Sequence, residues 1–374
     1  MRLLVVAESP PTTDAVHGNG STMITANVLP LMSSDIEIDL AYFPDRPACP
    51  DADVLDRVRS VTVLPMRPGW HGWMAQLTTR LPRATALRRP PACDVEQLWR
   101  NADAVYLHGL HTAALGRSIR KPTMIHVVDP WSQFWFERAR GKNPAEAAYF
   151  RDQARRADRL EREIAGWART TFVVNPKDAA TLSARTGGRV VAVPNGVAVG
   201  ASAEITADPD RVSFVGTLDY APNVEALERL IHRVWPLVRA ERPTARLTIA
   251  GRRPGDWLQQ LSVPGVEVLG AVDDVGGVFA SSAAAAYIGV TGRGTKNTIS
   301  EAIAAGCPVV ASPEAARGQA VNEHLHVATT DEAIAGSLVA LLVPGARRPE
   351  PVVARPWSVA AAEYEAEIRS SASP

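Results

Sequence analysis

Residues Gly292–Ser312 read GRGTKNTISEAIAAGCPVVAS. Gly292 and Gly294 allow a tight turn in which backbone N–H groups approach an anion. Gly294 and Thr295 are the residues that would offer those N–H groups. Lys296 adds a point charge, and the helix predicted to start at Asn297 aims its positive end at the same place. Glu301 follows about one turn along, where a carboxylate can accept hydrogen bonds from paired sugar hydroxyls. Val309-Val310-Ala311 then reads as a buried strand. A diphosphate and a ribose recognised side by side imply a nucleotide-type ligand. The plainer alternative is an ordinary loop–helix–strand unit.

On either side of this stretch, short apolar runs alternate with helical patterns, the signature of parallel α/β layers. One series extends from Leu3–Ala7 to Val190–Val193 and a second from Val212–Val215 to His326–Ala328. Between them Gly196–Pro209 is small, polar and without periodicity, and reads as a linker. The expected architecture is α/β with two Rossmann-like domains facing across a cleft, since open parallel sheets bind ligands beyond their strand carboxyl ends. The boundaries expected are 1–196 for the N-terminal domain, joined by a helix over 357–370, and 210–350 for the C-terminal domain. In the second domain Leu227, Leu230, Ile231 and Val234 follow the i, i+3, i+4, i+7 spacing of a helix packed on a sheet, and Pro222-Asn223 suits its start.

Composition narrows the classes. Forty basic and forty acidic residues balance, so net charge implies no polyanion partner. Three cysteines, Cys49, Cys93 and Cys307, form no C-x-x-C pair, which argues against a disulfide framework or a zinc site and suits a reducing cytoplasm. No run approaches the ~20 apolar residues that span a bilayer. A soluble, cytoplasmic protein with no integral membrane segment is the expectation.

The motifs resemble the retaining "group 1" glycosyltransferases of the GT-B fold. Glu301, Ala302, Ala305, Gly306, Pro308, Val309 and Val310 fit the second half of that family's donor pattern, while Arg293 stands where its first glutamate is expected. One branch has instead a Gly-Thr-Arg-Asn-Lys-like turn, which Gly294, Thr295, Lys296 and Asn297 fit. The same branch follows its first C-domain strand with Gly-x-x-Asp-Tyr-x-Pro-Asn; Gly216, Asp219, Tyr220, Pro222 and Asn223 fit. The resemblance continues through Val193–Val197 and Gly270–Asp274, and ends at Pro356-Trp357-Ser358, which opens a helix that in the family crosses back to the first domain. It implies a nucleotide-diphosphate sugar as co-substrate, no cofactor and no metal. Glu301 would hold the ribose, Lys296 and Arg252 the diphosphate, and the backbone at Val272 the base. Gly18-Asn19-Gly20 would match a glycine loop that closes over the donor, with a plain surface loop as the alternative. The only Asp-x-Asp pairs, Asp51/Asp53 and Asp208/Asp210, read as Pro-rich loops.

His108 and Asp129 each end a predicted strand. The resemblance gives them sugar- or acceptor-side roles, and a core-edge histidine is the other reading of His108. Pro65–Arg100 is rich in Arg and Trp, and its prolines forbid one long helix. It reads as an acceptor-side lid or a membrane-surface element. The function implied is hexosyl transfer with retention to a small-molecule or glycan acceptor. Abundant Ala and Arg suggest a GC-rich bacterial source, where by analogy such enzymes decorate antibiotics, other secondary metabolites or cell-surface glycans. A sugar-nucleotide epimerase of the same fold and a non-catalytic nucleotide-sugar-binding protein are the rival readings.

Overall fold

The computed structural model describes residues 1–14, 16–88, 92–197, 206–289, 295–320, 322–343 and 354–373. The chain divides into two compact units: unit 1 is Met1–Asn195 with Trp357–Pro374, and unit 2 is Gly196–Pro356.

Unit 1 is built on a seven-stranded sheet of order β3-β2-β1-β4-β5-β6-β7. Its strands are β1 (Arg2–Ala7), β2 (Glu37–Tyr42), β3 (Ser60–Val63), β4 (Ala104–His108), β5 (Thr123–Val128), β6 (Thr170–Val173) and β7 (Val190–Ala192), all paired in parallel. The run RLLVVA is apolar at nearly every position because both faces of β1 are covered. Leu3, Val5 and Ala7 pack with Ile24, Tyr106 and Phe172 on one face, and Leu4 and Val6 with Phe43, Leu107 and Ile125 on the other. The final helix, Trp357–Ala372, closes the first face. Tyr364 packs edge-on against Phe172 at 5.2 Å, its hydroxyl lies 3.0 Å from His126 Nε2, and Ser371 Oγ is 3.0 Å from Thr170 Oγ1.

Unit 2 holds a six-stranded sheet of order β10-β9-β8-β11-β12-β13. These strands are β8 (Asp208–Val215), β9 (Arg246–Ala250), β10 (Val266–Gly270), β11 (Ser282–Tyr287), β12 (Val309–Ala311) and β13 (Leu325–Val327), again all parallel. The predicted helix face is real: Leu227, Leu230, Ile231 and Val234 are all fully buried. The helix is not uniform, however. Ala221–Arg229 passes through a wider π turn at Leu230–Val234 into Trp235–Glu241. The wide turn falls where Pro236 lacks an N–H and its ring would press on the carbonyl one turn back.

Asp208 and Asp210, expected in a loop, instead open β8. Asp208 N–H donates to Ser281 O at 3.0 Å, and its carboxylate pairs with Arg246. Asp210 pairs with Arg242 at 3.3 Å. Pro209 is accommodated because the β8–β11 register shifts there. Of the linker predicted over Gly196–Pro209, residues 198–205 lie outside the described residues. Pro65–Arg100 forms separate helices, Gly69–Thr79, Arg83–Leu87 and Ala92–Trp99, and Pro68 and Pro82 are the N-caps of the first two.

Candidate functional site

In unit 2 the strand order reverses between β8 and β11, the place where open α/β sheets bind ligands. Three neighbouring strands there run out into glycine: Gly216 after β8, Gly251 after β9, and Gly270 ending β10. Gly251 has φ +149°, and a Cβ on it would stand 1.7 Å from Gly216 O. Gly216 N–H donates to Ala250 O at 3.1 Å and Gly251 N–H to Gly270 O at 2.7 Å. The result is a side-chain-free floor that a ligand can approach closely.

Two cations converge above the loop that follows Gly216. Arg252 Nε donates to Thr217 Oγ1 at 3.3 Å, and Lys296 Nζ to Asn223 Oδ1 at 3.4 Å. Asn223 in turn donates from Nδ2 to Thr217 O at 3.0 Å, so one amide fixes both the loop and the ammonium. Lys296 caps the helix Asn297–Ala304. Gln319 braces that cap: its Nε2 donates to Lys296 O at 2.9 Å and its Oε1 accepts from Ser300 Oγ at 3.0 Å. From below, the buried Tyr287 hydroxyl donates to Val215 O at 3.0 Å and is hydrogen-bonded to Thr298, tying the helix to the β8–β11 junction.

Glu301 lies on this helix, half-buried and with no ion-pair partner among the described residues. Burial raises the pKa of its carboxyl and lowers that of the Lys296 ammonium. Each charge is thus held at a desolvation cost that a ligand of complementary polarity would offset. Thr295 and Asn297 flank Lys296, and Val272 is half-buried in the loop after β10. Gly294 and Arg293 lie outside the described residues.

Unit 1 carries a second polar cluster at its own switch point, between β1 and β4. Glu8, the residue after β1, is buried. It accepts from Ser21 Oγ at 3.2 Å and from His111 N–H at 3.3 Å. Arg88 donates from Nε to Glu8 O at 2.9 Å and from Nη2 to Asp45 Oδ2 at 2.7 Å. Burial raises the Glu8 pKa, outweighing the attraction of Arg88. Gly109 is required here: it has φ +94°, and a Cβ on it would lie 2.0 Å from Glu8 Cδ. The helix Gly20–Val28 begins over this cluster, with Asn19 and Thr22 forming a reciprocal capping box. Gly18 must stay small, since a Cβ would approach Asp14 O to 2.8 Å.

His108 is turned inward, 1% exposed. Nε2 donates to Ser21 O at 2.9 Å, leaving Nδ1 to accept from the Tyr106 hydroxyl at 3.2 Å, and the ring stacks on His126 at 4.9 Å. Burial lowers its pKa to about 4. Both nitrogens are engaged within unit 1, so in this structure the ring supports the Glu8 cluster from behind. Asp129 is half-buried at the end of β5. The turn before it is strained: Val128, a β-branched residue, has φ +65°, and Asp129 N–H donates to Val127 O at 2.8 Å. Such strain recurs where a side chain is aimed for function.

Two sequence families match the chain in tandem. The "Glycosyl transferase 4-like domain" matches residues 20–196 and "Glycosyl transferases group 1" residues 209–343. The chain belongs to the group 1 glycosyltransferases. Solved structures agree on the GT-B fold. The HepE protein of Anabaena, crystallised with UDP, superposes with a TM-score of 0.60 at 15% identity, over 99% of this chain and 95% of its own. A sucrose-phosphate synthase from Thermosynechococcus elongatus gives 0.64 at 14%, over 100% and 96%. A UDP-forming α,α-trehalose-phosphate synthase from Burkholderia xenovorans gives 0.63 at 12%, over 100% and 99%. A search of curated protein sequences returns no match.

In this glycosyltransferase the structure brings Gly216, Arg252, Lys296 and Asn297 to one end of the second sheet. Sequence reading gave no site role to the supports: Asn223, seen only as part of a motif, and Gln319 in unit 2, and Glu8 and Arg88 in unit 1. Glu8 had a usable signal, a carboxylate directly after the apolar run Leu3–Ala7. Gln319 had none, because its partners, Lys296 and Ser300, lie about twenty residues upstream across β12.

Proposed function

We propose that unit 2 binds a nucleotide-diphosphate sugar and that the sugar passes to a hydroxyl of a small-molecule or glycan acceptor presented to unit 1. The observation that carries this is the convergence of Lys296 and Arg252 on the Gly216–Asn223 loop, with Glu301 on the adjoining helix lacking an ion-pair partner among the described residues. Two cations over a glycine floor suit a diphosphate, and a half-buried carboxylate suits the ribose hydroxyls. Thr295, Gly294 and Asn297 would add donors at the helix start, and the Val272 backbone would meet the base. No cofactor and no metal enter this reading, because the cations stabilise the leaving group themselves.

The test is nucleotide binding. UDP, which occupies the HepE crystal, is the first nucleotide to try. At a hundred times its dissociation constant it should stabilise the protein by about 2.7 kcal/mol, with or without EDTA. Glu301→Ala should weaken binding by about 1.5–3 kcal/mol, the worth of a charged hydrogen-bond acceptor. The same substitution should leave the unliganded protein no less stable, since it removes a desolvated carboxylate. Unchanged affinity in the folded variant, or a signal abolished by EDTA and restored by magnesium, would sink the reading.

The reaction proposed is retaining. The bond from the anomeric carbon to the diphosphate oxygen breaks, the acceptor oxygen bonds to that carbon on the same face, and the acceptor proton passes to the departing diphosphate. Asp129 then orients acceptor or sugar, with His108 as a positioning residue behind the Glu8 cluster. Asp129→Asn is expected to lower turnover on the order of a hundredfold with nucleotide affinity intact. Product NMR couplings should match the donor anomer. Inversion would instead make Asp129 a general base, and lost nucleotide affinity would make it a fold-supporting residue.

A further inference from the structure

The helix Gly69–Thr79 turns an apolar stripe to solvent. Trp70, Trp73, Met74 and Leu77 follow i, i+3, i+4, i+7 spacing and are 63%, 52%, 55% and 81% exposed. In a water-soluble fold that spacing normally marks the buried face. Here it faces outward, and it includes the most exposed large apolar side chain among the described residues. Beside it runs a cationic stripe. Arg151, Arg155 and Arg159 are exposed at i, i+4, i+8 on the long helix Pro144–Ile164, so they share one face. Arg80, just past the end of the apolar helix, lines a shallow depression with Asp152, Arg155, Arg156 and Arg159. Asp152 is neutralised by Arg156 at 2.6 Å, while Arg80, Arg155 and Arg159 have no ion-pair partner among the described residues. Arg83 lies 4.2 Å over the Trp73 ring, holding an exposed indole in place.

We propose that this face of unit 1 docks on an anionic lipid bilayer, with the apolar stripe entering the headgroup–acyl boundary and the arginines resting on lipid phosphates. Each half of the surface fits that occupant. Indole rings favour the bilayer interface, and an amphipathic helix rich in Trp and Leu lies in the interface plane. Clustered arginines are drawn to the negative surface potential of anionic leaflets. The chain as a whole carries no net charge, so the attraction has to come from this local patch. The proposal is independent of the donor reading, and its test contains no nucleotide.

The experiment is co-sedimentation with vesicles of phosphatidylcholine alone or with one quarter phosphatidylglycerol. Binding is expected only to the anionic vesicles and should be released by half-molar salt. Arg155→Gln with Arg159→Gln should weaken it about fivefold per arginine, and Trp70→Ser with Leu77→Ser by more than tenfold. These side chains are exposed, so thermal midpoints should be unchanged. If one does fall, Leu77→Ser alone should still lose binding. No sedimentation with anionic vesicles, or binding insensitive to Leu77, overturns the proposal and leaves a protein partner as the occupant. Equal binding to both vesicle types overturns the role of the arginines.

Discussion

Gly251→Ala should destabilise unit 2 by at least about 3 kcal/mol and abolish nucleotide binding with it. Two costs add at this position. A φ of +149° is a conformation L side chains rarely adopt, and the new Cβ would overlap Gly216 O at 1.7 Å. The obstacle is backbone, so no rotamer change relieves it. The strands β8 and β9 would have to part at their carboxyl ends, where the glycine floor lies. Gly336→Ala is the control: it is in the middle of the helix Asp331–Leu341 with open space around it, and should gain roughly 0.5–1 kcal/mol. Urea unfolding of the two variants side by side checks this, and equal stability would refute the close approach of the two glycine segments.

The second large effect is acid lability of unit 1. His108, His111 and His126 are buried and held neutral, with pKa lowered to about 4, to about 3 and well below the usual value, in each case mainly by burial. In the unfolded chain each would take up a proton near pH 6.5. Between there and the folded values the unfolded state binds more protons, so stability falls as pH falls. For His108 and His111 the loss is on the order of 3 kcal/mol apiece. Glu8 works in the opposite sense, since its raised pKa lets the folded state bind a proton first as pH drops toward the usual carboxylate range. One such group offsets only part of the loss. Denaturant melts between pH 7 and pH 4 should show a steep decline that His111→Gln moderates. A flat profile would mean the histidines are hydrated and not buried.

Much of the molecule is determined by sequence alone, for a physical reason. Strands covered on both faces must be apolar at successive positions, so Leu3–Ala7, Met124–Val128 and Val309–Ala311 mark themselves out. Helices that pack on a sheet must repeat at i, i+3, i+4, i+7, so Leu227 to Val234 does the same. These patterns are local: they mark the strands and helices, while the order in which the parallel strands pair depends on contacts distant along the chain. Glu301 and Lys296 could be named together from sequence because one short helix and its N-cap carry them. What the sequence leaves open is whatever depends on partners distant along the chain. Whether His108 meets substrate or turns inward is decided by Ser21 and Tyr106. Asp208 becomes strand because Ser281 and Arg246 come to meet it, which its Pro-rich neighbourhood conceals. Glu8 and Arg88, eighty residues apart, become one cluster only when β1 and β4 pair. Tertiary structure also decided that Trp70, Trp73, Met74 and Leu77 face water. Periodicity reports that a helix has an apolar face, and only packing decides whether protein covers it.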